Sequence, residues 1–136
     1  SKEVNMSILV AYDGSDVAKE AFALAQKHAR AFKQDIEVVR AVEREATLDL
    51  GNIQRLEDEL ENEIRLLLAD DKIPFKTTLL VSSSTPAEEI VRHAEVKKST
   101  EIVMGARKRS KVGKLVFGST AQYVILNAPC PVVITK

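Results

Sequence analysis

The sequence predicts an α/β fold: a doubly wound, five-stranded, mostly parallel sheet with helices on both faces. Three observations predict it. Short apolar runs of strand length alternate with longer stretches whose apolar residues recur at helical spacing. The run Ser7 to Tyr12 is apolar almost throughout, as expected of a strand buried on both faces and not of a half-exposed one. The resulting order, βαβαβαβαβ, implies parallel pairing through helical crossovers, whose right-handedness winds the helices onto both faces.

Each element has its own signal. After Ser7–Tyr12, Asp13-Gly14-Ser15 breaks the strand, and Ser15 is a plausible N-cap. Ala21, Leu24, Ala25, His28, Ala29 and Phe32 then give a helix to about Lys33. Ile36 to Val42 is the second strand, and residues 43 to 51, polar and carrying Gly51, read as a long loop. Ile53, Leu56, Leu60, Ile64 and Leu67 form the stripe of a second helix, with the acidic Glu57, Asp58, Glu61 and Glu63 on its solvated side. Lys76 to Val81 is the third strand, more polar than the others. Thr85-Pro86-Ala87-Glu88 starts a third helix with a capping Thr, Pro at the first position and Glu where a capping box needs it. Its apolar face is Ala87, Ile90, Val91 and Ala94. Glu101 to Gly105 is the fourth strand, Ser119 to Asn127 the fourth helix, and Pro131 to Thr135 the last strand, with proline tolerated at its first residue.

Composition narrows the function. A chain of 136 residues with 45% hydrophobic and 29% charged residues is ordinary globular material, read as a single domain over residues 1–136 with Ser1 to Asn5 as a flexible tail. Its 20 basic and 20 acidic side chains cancel, so no whole-protein field draws it to nucleic acid. No apolar run reaches the roughly 20 residues that span a bilayer, so no membrane role is expected. The single Cys130 offers no internal disulfide and fits a reducing cytoplasm.

The stretch Ile102 to Thr120 carries the chemistry. A strand ends at Gly105, a basic loop with Arg107, Lys108, Arg109, Lys111 and Lys114 follows, and Gly118-Ser119-Thr120 opens a helix. Glycines at both ends allow the backbone to approach a bound group, and free N–H groups at a helix start favour an anion. In a doubly wound sheet this segment, Asp13-Gly14-Ser15 and Ala41-Val42 all lie at the carboxyl ends of the strands, where ligands bind. Two standard nucleotide motifs are excluded. No G-x-G-x-x-G occurs, and Gly113-Lys114 fails as a P-loop because Lys108 and Leu115 stand where glycine and a hydroxyl residue belong.

What remains resembles the universal stress protein family, over nearly the whole chain. Nucleotide-binding members carry Gly, two residues, Gly, nine residues, then Gly-Ser or Gly-Thr. The segment Gly105-Ala-Arg-Lys108, nine residues, Gly118-Ser119 reproduces that spacing with Lys108 replacing the second glycine. The opening Ile8-Leu-Val-Ala-Tyr-Asp-Gly-Ser15, Arg109-Ser110 and the ending Ala128-Pro-Cys-Pro-Val-Val-Ile are similar to the family as well. The resemblance implies a Rossmann-like, adenine-nucleotide-α-hydrolase-like fold that binds ATP, with Mg²⁺ accompanying the nucleotide. Asp13 and Ala41 would then lie against adenine and ribose, Met104 and Gly105 beneath the nucleotide, and Gly118, Ser119 and Thr120 on the phosphates. It also implies a homodimer through the final strand, residues 131–135. Lys108 cuts both ways: glycine there permits a positive φ that lysine tolerates poorly, whereas Arg107, Lys108 and Arg109 could neutralise phosphate by side chain.

Plainer readings stand beside these. The basic loop is equally a solvated segment, Asp13 a helix cap and Met104 core filling. His28 and His93 read as structural, and with one cysteine they give no metal spacing. Cys130 lacks an activating neighbour. Three classes therefore remain: a nucleotide-binding regulatory module, a nucleotide-binding-deficient dimeric interaction protein, and a slow ATPase, for which no catalytic base is identifiable. The protein partner of any such module is not legible.

Overall fold

The computed structural model describes residues 6–44, 49–106, 108–109 and 115–136. Its main sheet has five strands in the order β3-β2-β1-β4-β7, formed by β1 (Ser7–Ala11), β2 (Asp35–Glu43), β3 (Phe75–Ser82), β4 (Glu101–Gly105) and β7 (Val132–Thr135). Every pairing in it is parallel. The only antiparallel ladder among the described residues is a small separate hairpin of β5 (Lys108–Arg109) and β6 (Leu115–Val116). Four helices, α1 (Asp16–Phe32), α2 (Leu50–Leu68), α3 (Pro86–Lys97) and α4 (Ser119–Asn127), complete the fold.

Alternation along the strands explains the two-layer core. Ile8, Val10, Ile36, Val38 and Val103 face α1 and α2, together with Phe22, Leu60 and Ile64. Leu9, Val39, Ile102 and Met104 face α3 and α4, with Ile90, Ala94, Ala121 and Val124. A run such as Ile8-Leu9-Val10 is apolar at successive positions because both faces are covered, and each fully buried side chain contributes about 1.5–3 kcal/mol. Caps set the helix starts as expected: Ser15 Oγ accepts from Ala18 N at 3.2 Å, and Thr85 Oγ1 accepts from Glu88 N at 3.2 Å with Pro86 opening α3.

Several boundaries differ from expectation. The stretch 43–51 is not one long loop. β2 runs through Glu43, and α2 begins at Leu50 with Gly51 inside it. The reason is Asp49, whose carboxylate accepts from Asn52 N at 2.9 Å and caps the helix; residues 45–48 lie outside the described residues. β1 ends at Ala11, although Tyr12 N still donates to Val39 O at 2.9 Å. β3 is longer than expected, and its polar Lys76-Thr77-Thr78 is accommodated because this is an edge strand. The proposed tail, Ser1 to Asn5, lies outside the described residues.

Candidate functional site

Winding reverses between β1 and β4, which lead away to helices on opposite faces, and the carboxyl ends of these two strands part there. A cavity of about 110 Å³ fills the gap. Ala11, Tyr12 and Asp13 reach it from the end of β1, Val39 and Ala41 from β2, and Met104 and Gly105 from β4. Ser15, Val17 and Ala18 of the α1 start, Pro86 and Ile90 of α3, and Thr120 and Ala121 of α4 close it. The walls are mainly apolar with a few polar groups at the rim, the usual composition of a small-molecule site, but the volume falls below the roughly 300–1,000 Å³ of a drug-sized pocket. It suits one flat ring system, with the remainder of a larger ligand outside.

Five of the sequence-predicted residues, Asp13, Ala41, Met104, Gly105 and Thr120, therefore line a single cavity. Gly118 and Ser119 are not in its wall but stand beside it at the start of α4, where Gly118 is the N-cap and supplies no side-chain acceptor. The first-turn N–H groups of such a helix have no partner within the helix and make an electropositive rim. Lys108 and Arg109 have their backbones in the hairpin, while Arg107, with Ser110, Lys111, Gly113 and Lys114, lies outside the described residues.

The structure bears on the reasons given for three residues. Gly105 needs no unusual φ. A Cβ placed on it would lie 2.6 Å from Val17 Cγ1, so its missing side chain is what allows the first turn of α1 to seat against β4. Gly118 has φ −69° and ψ 167°, extended backbone open to any residue, so only its lack of bulk matters. Lys108 pairs with Val116 in the β5–β6 ladder and meets no demand for left-handed backbone. Among the described residues the glycine that does is Gly14, at φ 84° in the turn after β1. There Asp13 Oδ1 accepts from Ser15 N at 3.0 Å, which closes the turn ahead of the Ser15 cap, and Asp13 also lines the cavity.

Shifted acidities occur at both ends of the sheet. Burial, then the nearby Glu63 carboxylate, pushes the Tyr12 phenol up, and its hydroxyl sits buried without a well-directed hydrogen bond. Burial and then Glu101 likewise raise the Cys130 thiol, which leaves it a poor nucleophile. Both histidines lie at the opposite end of the sheet, His28 Nδ1 against Glu101 and His93 Nε2 at 2.8 Å from Glu37 Oε2. Pro86, Ile90 and Val17 were missed as cavity residues by sequence reasoning, whereas Ser15 lay in a segment already placed at that edge. The capping box at Thr85 placed the start of α3 at the ligand edge and was the available signal for the first two.

Comparison with known proteins agrees with this geometry. A profile described as "Universal stress protein family" matches residues 5–136. A universal stress protein of Thermus aquaticus is 38% identical over 96% of this chain and 98% of its own length. Among solved structures, a universal stress protein from Archaeoglobus fulgidus superposes with a TM-score of 0.82 at 32% identity, covering 96% of this chain and 98% of that one. A second, the universal stress protein from the same organism in complex with dAMP, gives 0.80 at 27% identity over 98% and 100%. No helix among the described residues is long and apolar enough to cross a membrane. With the motif spacing, the all-parallel sheet and these likenesses in agreement, the chain belongs to the universal stress protein family.

Proposed function

We propose that this protein is an adenine-nucleotide-binding regulatory module that takes ATP, with its base in the cavity between β1 and β4. The observation that carries this reading is the cavity itself, which gathers Asp13, Ala41, Met104, Gly105 and Thr120 from four separate elements at the switch point. Asp13 and Ala41 meet base and ribose there, Met104 and Gly105 form the floor, and Gly118, Ser119 and Thr120 offer phosphate the start of α4. The dAMP complex of the Archaeoglobus fulgidus relative supports an adenine ligand. Arg107, Lys108 and Arg109 would add positive charge beside the phosphates. Among the described residues no cluster of three or more His, Cys, Asp or Glu side chains is placed to hold a metal. Mg²⁺ would bind chiefly through the phosphates, with Asp13, Ser119 and Thr120 as candidate oxygen donors. Regulation is preferred to hydrolysis because the sequence offers no identifiable catalytic base.

The module would work as a cytoplasmic homodimer in a single-domain chain. β7 is an edge strand, presenting residues 131–135 for pairing across a two-fold axis, and Tyr123, Ile125 and Leu126 of the neighbouring α4 are exposed. Light scattering at micromolar concentration should find twice the 15.0 kDa chain mass; the monomer mass alone would refute it. Calorimetry with ATP and Mg²⁺ tests the ligand. Binding should occur below millimolar nucleotide and be lost in Gly118→Val, which puts a branched side chain where phosphate meets the α4 amides. No heat and no thermal stabilisation in the parent protein would favour the nucleotide-binding-deficient interaction protein instead.

A further inference from the structure

Two cavity walls come from strand ends that the sheet itself holds, but the wall formed by Pro86 and Ile90 belongs to α3 and depends on how the chain turns out of β3. That turn is organised by one carboxylate outside the cavity. Glu89, in the first turn of α3, accepts from Ser82 Oγ at 2.9 Å and from Ser84 Oγ, and Arg92 donates to the same oxygen at 2.6 Å. Ser82 ends β3, and its carbonyl accepts from Arg44 N at 3.0 Å, which ties the turn to the end of β2. Ser84 N donates to Ser82 Oγ at 3.0 Å. The chain from 82 to 85 is thus closed on Glu89 before it reaches Pro86, whose ring fixes φ, and Ile90 follows Glu89 directly, buried against the sheet.

We propose that Glu89 is a positioning residue for the base cavity, holding the β3–α3 turn so that Pro86 and Ile90 close its wall. The proposal rests on the reading of that cavity as the adenine site. Neither Glu89 nor its three partners lines the cavity, so the action is indirect. Three charge-assisted bonds to one carboxylate are strong relative to neutral ones, and a displacement of about 1 Å in a supporting shell is enough to loosen a site. The Ser84 hydroxyl, followed by the Ser82 hydroxyl and Arg92, holds the Glu89 carboxyl below its ordinary range despite partial desolvation, so it remains an acceptor at neutral pH.

The test compares adenosine with ATP·Mg²⁺ by calorimetry. Adenosine reports the base cavity alone, whereas ATP also reports the phosphate rim at α4. Glu89→Ala, and independently the double variant Ser82→Ala with Ser84→Ala, should weaken both ligands by the same factor, about tenfold on the scale seen when supporting contacts of a binding group are removed. Glu89→Gln keeps an acceptor for the serines and should remain near the parent affinity. Unchanged affinity in a folded Glu89→Ala protein with only a lower melting temperature would overturn the proposal, as would a loss confined to ATP. Should Glu89→Ala not fold, the serine double variant decides by the same two readings. A parent protein that binds neither ligand refutes the reading of the cavity, and the positioning role falls with it.

Discussion

At the amino ends of the strands His93 lies against Glu37, His28 against Glu101, and Thr100 Oγ1 donates to Gln34. At the carboxyl ends Asp13 and Thr120 border a cavity, with the start of α4 beside it. One end of the sheet sets its histidines against carboxylates; at the other, Asp13 and Thr120 border a cavity with mainly apolar walls. Glu37 is only 5% exposed and also accepts from Thr78 Oγ1 at 3.0 Å, so it is a satisfied buried acid. A search for function led by histidines would have gone to the amino end, away from the Asp13–Thr120 cavity. The lesson is that a perturbed titratable group whose charge partner is packed beside it inside the fold, as Glu37 is with His93, reads first as structural.

The sharpest way to break that comparison is His93→Leu. Removing one partner leaves Glu37 buried with Thr78 and Lys97, and leaving a buried charged group short of a partner costs more than the roughly 1–3 kcal/mol of a neutral one, measurable as the shift of a urea midpoint. Adenosine affinity should not move. Burial, the largest single influence, pushes the Glu37 carboxyl up, but His93 and Thr78 together hold it below its ordinary 4.5. A depressed carboxyl contributes stability that is complete above the unfolded value and lost as pH falls through the folded one. The stability gap between parent and variant should therefore narrow below pH 4.5. A gap independent of pH would remove the pair from the account.

A smaller effect is expected at the ligand end, from Gly105→Ala. The added methyl meets Val17 Cγ1 at 2.6 Å and Cγ2 at 2.8 Å, an overpacking of the kind that costs about 1–3 kcal/mol. Because Val17 also lines the cavity, this change should weaken adenosine binding as well as stability, and Val17→Ala in the same chain should restore part of both. A stability loss with unaltered affinity would dissolve the contrast between the two ends.

How much of this was legible in the sequence varies with the physics of each element. The strands and capped helices were readable because burial on both faces of Ile8-Leu9-Val10 and the Ser15 and Thr85 caps are local signals. The start of α2 was not, since Gly51 suggested a break and the Asp49 cap that overrides it gave no conspicuous pattern. The β5–β6 hairpin has strands of two residues each, too short for any alternation to appear. At the site, element order alone placed Asp13, Ala41 and Gly105 at one edge. What it could not supply was the reason for Gly105, which depends on Val17 from another element, or the Ser82–Ser84–Glu89 node, where hydroxyls meet a carboxylate only after the chain turns.

The central claim, that the carboxyl-end cavity takes an adenine nucleotide while the histidine pairs at the other end are structural, is tested most directly by mapping backbone amide shifts during titration with ATP and Mg²⁺. The amides of Asp13, Ala41, Met104, Gly105, Ser119 and Thr120 should shift together and saturate at one affinity, while those of His28, Glu37, His93 and Glu101 stay in place. Shifts concentrated around the histidines, or none at millimolar nucleotide, would contradict it.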